Sequence, residues 1–232
     1  MLRETLLASL LAGLCAAVVL TCLQTVWVTP LILQGEVYED AAAAHETTQL
    51  LPSEGHHHEA DEWKPRDGTE RTLYTAAADL LLGVGYALVL TSTYLLWRAP
   101  NTPLRGGVAF GVAGFIVFFV APALGLPPEL PGTAAAELSM RQAWWVMTAL
   151  ATAVALLMFF SSPRVWVRAL AVALLVAPHF VPAPQPAVAS SLAPEGLQHQ
   201  FRLATTVCNA VFWLALGIAS SFAFRKLVRQ PA

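Results

Sequence analysis

Three consecutive histidines, His56, His57 and His58, stand in "EGHHHEADEWKPRDGTER" at 54–71, among six carboxylates. Neutral imidazole is the commonest side-chain ligand of first-row transition metals, and at neutral pH most of it is unprotonated. In an extended chain His56 and His58 share a side and His57 points away, so His45, Glu54, Glu59, Asp61 or Glu62 would complete a shell. This is a loose capture site. A closed structural site would instead show fixed ligand pairs such as C-x2-C or H-x3-H. It would bind Co²⁺, Ni²⁺, Cu²⁺ and Zn²⁺ in the usual affinity order without selecting among them. The alternative is a solubilising loop whose histidines are incidental.

Asp79, in "LYTAAADLLLGVGYALVL", is the one carboxylate well inside an apolar run. Holding an ionised Asp at mid-membrane costs roughly 2.5–3.5 kcal/mol, so it is expected to face the interior and to be paired or protonated. Gln24 and Asn209 fall at comparable depth in their own runs. Together the three are expected to form the throat of a polar path, the alternative being a hydrogen-bond cluster that fixes helix packing.

The elements that must hold these groups are apolar. Charged residues make up 12% of the 232, against about 25% in a soluble domain. Apolar runs at 5–33, 72–97, 104–122, 142–161, 165–181 and 203–224 approach or exceed the roughly 20 residues of a membrane span. The expected fold is all-α and polytopic: about six transmembrane helices, or five if 165–181 fails to cross, in one domain over 1–232. Residues 34–71 are expected to be an outer, acidic, His-rich loop. The lipid bilayer is therefore the first partner, and a net charge of −2 with no basic face excludes nucleic acid. Cys15, Cys22 and Cys208 lie in apolar runs and read as small hydrophobes. The first run is too long for a signal peptide and reads as a permanent span.

Charge sorting gives a direction. With both termini cytoplasmic, eight Lys and Arg lie inside (Arg3, Arg98, Arg105, Arg164, Arg168, Arg225, Lys226, Arg229) and five outside. Thirteen of the 15 acids and all six histidines then share the outer side or its edge. Each outward run nears its end at a similar signature, "VTP" at 28–30, "VAP" at 120–122 and "VAP" at 176–178, and each inward run follows an arginine. This reads as three outward-looped hairpins. The prolines are expected to break the outward helices and leave three negative dipole ends beneath the acidic loops.

"TPLILQGEVYED" (29–40), "DGTERTLYT" (67–75), "APALGLPPELPG" (121–132), "RQAWW" (141–145), "PHFVPAP" (178–184) and "NAVFWLALG" (209–217) together resemble the CbtA family of cobalt transporter subunits, over nearly the whole chain. The resemblance implies a multi-pass subunit of the bacterial inner membrane, acting in cobalt uptake for cobalamin synthesis. It also implies a small one-span, His-containing partner, CbtB, and makes Glu36, Glu39, Glu129 and His179 candidate parts of an outer uptake site. The transported metal is then substrate rather than bound cofactor. No P-loop motif is present, so energy would come from a partner, an ion gradient or the membrane potential. Two other readings stand beside this one: an assembly subunit without its own metal path, and an intramembrane metal-dependent hydrolase. Self-association stays open.

Overall fold

The computed structural model describes residues 2–49, 65–96 and 104–228. Nearly all of them are helical: α1 (Leu2–Leu23), α2 (Thr29–Gln49), α3 (Thr69–Leu96), α4 (Leu104–Phe115), the single turn α5 (Ala121–Ala123), α6 (Leu138–Ser161), α7 (Val165–Val176) and α8 (Glu195–Ala223). Among the described residues the nearest thing to a sheet is one isolated bridge, Thr133 to Ser191.

Among the described residues five helical stretches are long and apolar enough to cross a bilayer. The remaining one, Val165–Phe180, is shorter; with its tight last turn it extends about 26 Å. It still runs the chain back along α6. Trp144, in the second turn of α6, donates its indole N–H to the carbonyl of Val181 just beyond that turn, at 3.0 Å. The fold is thus an all-α, multi-pass membrane bundle. One end gathers α2, the start of α3 and the connections 124–137 and 181–194; it is called the loop end. The other carries the start of α1 and the end of α8.

Packing follows the rule for helices in lipid, where backbone proximity rather than water exclusion holds elements together. α1 turns Ala8, Ala12, Gly13, Ala16 and Ala17 inward and exposes Leu6, Leu7, Leu10, Leu11, Leu14 and Val18. Its small face lies on α3 and α8, and α4 lies on the far side of α8. Gly13 and Gly83 let α1 and α3 approach backbone to backbone. A methyl group on Gly13 would stand 2.6 Å from the Val84 main chain. On the other side of the bundle Phe118 stacks on Trp213, ring centroids 5.4 Å apart and nearly parallel, and Tyr86 closes over Trp213 at 4.6 Å. The α6–α7 hairpin joins this core chiefly through residues 116–123.

The prolines behave differently from one another. Ahead of Pro30 the helix widens into a π-type turn, Gln24–Val28, in which the Thr29 N–H reaches back to the Gln24 carbonyl. The same device, Ile116–Val120 with the Ala121 N–H on the Ile116 carbonyl, precedes Pro122. A widened turn shifts the bonding register, so a residue without an N–H passes without breaking the rod. The V-x-P repeat at 28–30 and 120–122 therefore encodes a shared backbone geometry.

This corrects two expectations. Residues 34–49 are helix, not loop, because α2 continues through Pro30 to Gln49. Consequently α2 places no helix end at the level of Pro30, and only the chain around Pro122 and Pro178 ends helices near the membrane edge. The helix at 34–49 has tertiary support: Gly35 packs on Leu130 and Pro131, and Arg71 donates to Glu36 at 2.8 Å while reaching Asp67 at 3.2 Å. Residues 54–62, which carry most of the expected ligands, lie outside the described residues.

Candidate functional site

Asp79 lies on the face of α3 that meets α1, and only 6% of it is exposed. The Thr21 hydroxyl donates to its Oδ2 at 2.8 Å, and the Gln24 side chain is a second hydrogen-bond partner of the same carboxyl. Thr21 and Gln24 sit three apart, one helical face, at the mouth of the first widened turn. Two of the three expected path residues, Asp79 and Gln24, are thus brought together. Asn209 is not seen joining them: its amide donates to the Thr205 carbonyl one turn back in α8, at 3.0 Å.

A second polar pair occupies the same α1–α3 seam nearer the termini. The hydroxyls of Ser9 and Thr91 are 2.7 Å apart, both fully buried. Asp79 and Thr91 are separated along α3 by about 18 Å. Between the pairs lie Ala12, Gly13, Ala16 and Ala17 of α1 and Gly83 and Ala87 of α3. The seam is polar, then tightly packed and apolar, then polar again.

The loop end is organised by a residue that sequence reading missed. Gln198, in the first turn of α8 and 7% exposed, accepts from the Leu130 N–H at 3.3 Å. Its amide donates to Thr133 at 2.8 Å and to Ser191 at 2.9 Å. One side chain therefore ties the connection 124–137 to the connection 181–194. Arg202, one turn on, donates to the Pro128 carbonyl at 3.3 Å. Gly132, at φ +73°, makes the turn that lets these two connections bridge.

The remaining expected ligands are dispersed. His45 is exposed near the end of α2, and Glu39 is half-buried on the same helix. Glu36 is engaged by Arg71. Glu129 lines a groove of about 590 Å³ in which "LPPE" of 126–129 faces Arg141, Gln142 and Trp145. His179 is exposed in the tight turn after α7, edge-on to Trp144 at 6.2 Å. His56, His57, His58, Glu54, Glu59, Asp61 and Glu62 lie outside the described residues. Among the described residues no three His, Cys, Asp or Glu side chains converge to hold a metal ion.

A bundle with five helical stretches able to cross a bilayer among its described residues, a buried carboxylate on a helix seam and clamped loops at one end is that of a polytopic membrane protein. The chain belongs to the CbtA family, whose model, described as a probable cobalt transporter subunit, matches residues 2–225. No curated protein and no solved structure matches it.

Proposed function

We propose that this chain is the membrane subunit of a bacterial cobalt uptake system, gathering divalent cations at the loop end and passing them along the α1–α3 seam. The observation that carries the reading, beside family membership, is Asp79 held with Thr21 and Gln24 on a seam that is polar again at Ser9 and Thr91. Capture falls to His45 and to His56, His57 and His58 with Glu54, Glu59, Asp61 and Glu62 in the connection between α2 and α3. His179, Glu39 and Glu129 offer further stations at the same end, and Gln24 flanks the way through. In the orientation given by the positive-inside count the loop end faces outward and both termini are cytoplasmic. The cobalt ion is substrate, and a small one-span, His-containing CbtB-like subunit is the partner.

Metal titration of the purified chain in lipid tests the capture step. Imidazole ligation predicts Co²⁺ affinity that falls steeply as pH drops through roughly 6.5, since protonation removes the donor pair. Binding that stays level across that range would remove the histidines from the reading. Cobalt accumulation in cells carrying Asp79→Ala tests the seam, and uptake equal to the parent's would take Asp79 out of it.

One observation favours a second reading, an assembly subunit without its own path: no metal-binding cluster forms among the described residues. Purified chain with no measurable metal affinity that still co-purifies with the small partner would support that version.

A further inference from the structure

We propose that Asp79 is a proton-binding site, held as a neutral carboxylic acid at neutral pH. The site lies on the seam that the transporter reading uses and deepens that reading at its central residue.

Three observations support it. The carboxyl is buried on a helix seam within a membrane-spanning segment, and among the described residues no ion pair reaches it. Its partners, Thr21 and Gln24, are uncharged. An ionised carboxylate in such surroundings requires a cation, whereas an acid requires only hydrogen-bond partners, and Thr21 and Gln24 supply them.

Among the described residues the elements packed on α3 offer no counter-charge at this depth. α1 contributes Thr21; its Cys15 and Cys22 are exposed, and Arg3 and Glu4 lie at its far end. The widened turn contributes Gln24. α8 carries Glu195, His199 and Arg202 in its first turns and then only Cys208, a buried thiol. On α3 itself Arg71, two turns toward the loop end, is committed to Glu36 and Asp67, and Tyr86 is a phenol two turns the other way. A strongly bound transition-metal ion would call for further His, Cys, Asp or Glu ligands beside the carboxylate, and no group of three such side chains converges among the described residues. A proton needs one such side chain.

The reaction is the simple equilibrium of a carboxylate and a proton with the acid. The Thr21 hydroxyl can hydrogen-bond either form.

The test is infrared spectroscopy of the full-length chain in lipid, with ¹³C label in the aspartate carboxyls. Only four aspartates are present, Asp40, Asp61, Asp67 and Asp79. The expected result is one protonated-carboxyl band at neutral pH, removed by Asp79→Asn and lost only in alkaline buffer. Thr21→Val, which keeps the acid but deletes one hydrogen bond, is expected to shift that band and serves if Asp79→Asn fails to fold. Four ionised aspartates at neutral pH would overturn the proposal, as would a band indifferent to Asp79→Asn or, where only Thr21→Val folds, to that variant. Loss of the band on adding Co²⁺ at constant pH would also overturn it, by making the group a metal ligand. The measurement does not involve uptake: a band that behaves as expected in vesicles that take up no Co²⁺ would leave this site standing and remove the transporter reading.

Discussion

Gly13 of α1 and Gly83 of α3 meet backbone to backbone, and a methyl group on Gly83 would come within 2.7 Å of the Gly13 carbonyl oxygen. This contact separates the Asp79 group from the Ser9–Thr91 pair. It is a backbone contact made possible by what those two residues lack.

Gly13→Ala and Gly83→Ala should therefore each destabilise the bundle by about 1–3 kcal/mol, the usual cost of overpacking a tight interior. Gly85→Ala, whose added methyl would meet nothing within 4 Å, should be neutral or slightly stabilising. Thermal unfolding in detergent, compared across the three variants, checks the ordering. Equal melting temperatures for all three would refute the close approach.

The Glu36–Arg71 bond joins α2 to α3 with both side chains partly exposed. A double-mutant cycle with Glu36→Gln and Arg71→Gln should return a coupling of about 0.5–1 kcal/mol that shrinks in high salt. A coupling near zero at low salt would mean that packing, Leu31 in the core and Gly35 against Leu130 and Pro131, holds α2 on the bundle without help from this bond.

Gln198→Leu removes a side chain with three partners and leaves the Leu130 N–H without its acceptor. Loss of a buried network of this kind is expected to cost about 2–3 kcal/mol. It should also open the two tied connections, so limited proteolysis between 182 and 194 should accelerate before the helices melt. Unchanged cleavage there would sink the clamp.

Glu137 caps α6, accepting from the Ser139 hydroxyl at 2.6 Å and from its N–H at 3.1 Å. The hydroxyl, and then the N–H, hold this carboxyl below its ordinary value of 4.5. A group whose pKa is lowered by folding stabilises the fold above its unfolded value and loses that contribution as pH falls through the folded one. Glu137→Gln should accordingly melt a little below the parent at neutral pH, and the gap should close in acid, below 4.5. A gap that widens in acid would reverse the sign.

The spans were legible because lipid imposes a plain requirement, about 20 apolar residues per crossing, and the runs ending at 33, 97, 122, 161 and 224 meet it. The extension of the first helix through Pro30 was not, since proline ordinarily marks an end and the wide turn that rescues it depends on register rather than composition. Asp79 announced itself as a lone acid in an oily run. Its partner Thr21 did not, although Thr21 and Gln24 at a spacing of three form a polar pair on one face of an apolar helix and could have been read. Gln198 gave no signal: a glutamine in the first turn of a helix looks solvated, and only the meeting of two distant loops reveals what it ties together.

Residues 2–49 form one rod with a single widened turn at Gln24–Val28, about 72 Å long against a hydrocarbon slab of about 30 Å. A rod that long is a lever, and its bonding register changes at the turn that holds Gln24 against Asp79. Force applied near His45 by any ligand or neighbour would be geared down into small rotation at the joint. The carboxyl at the fulcrum would then feel what happens far outside the membrane without either end touching the other.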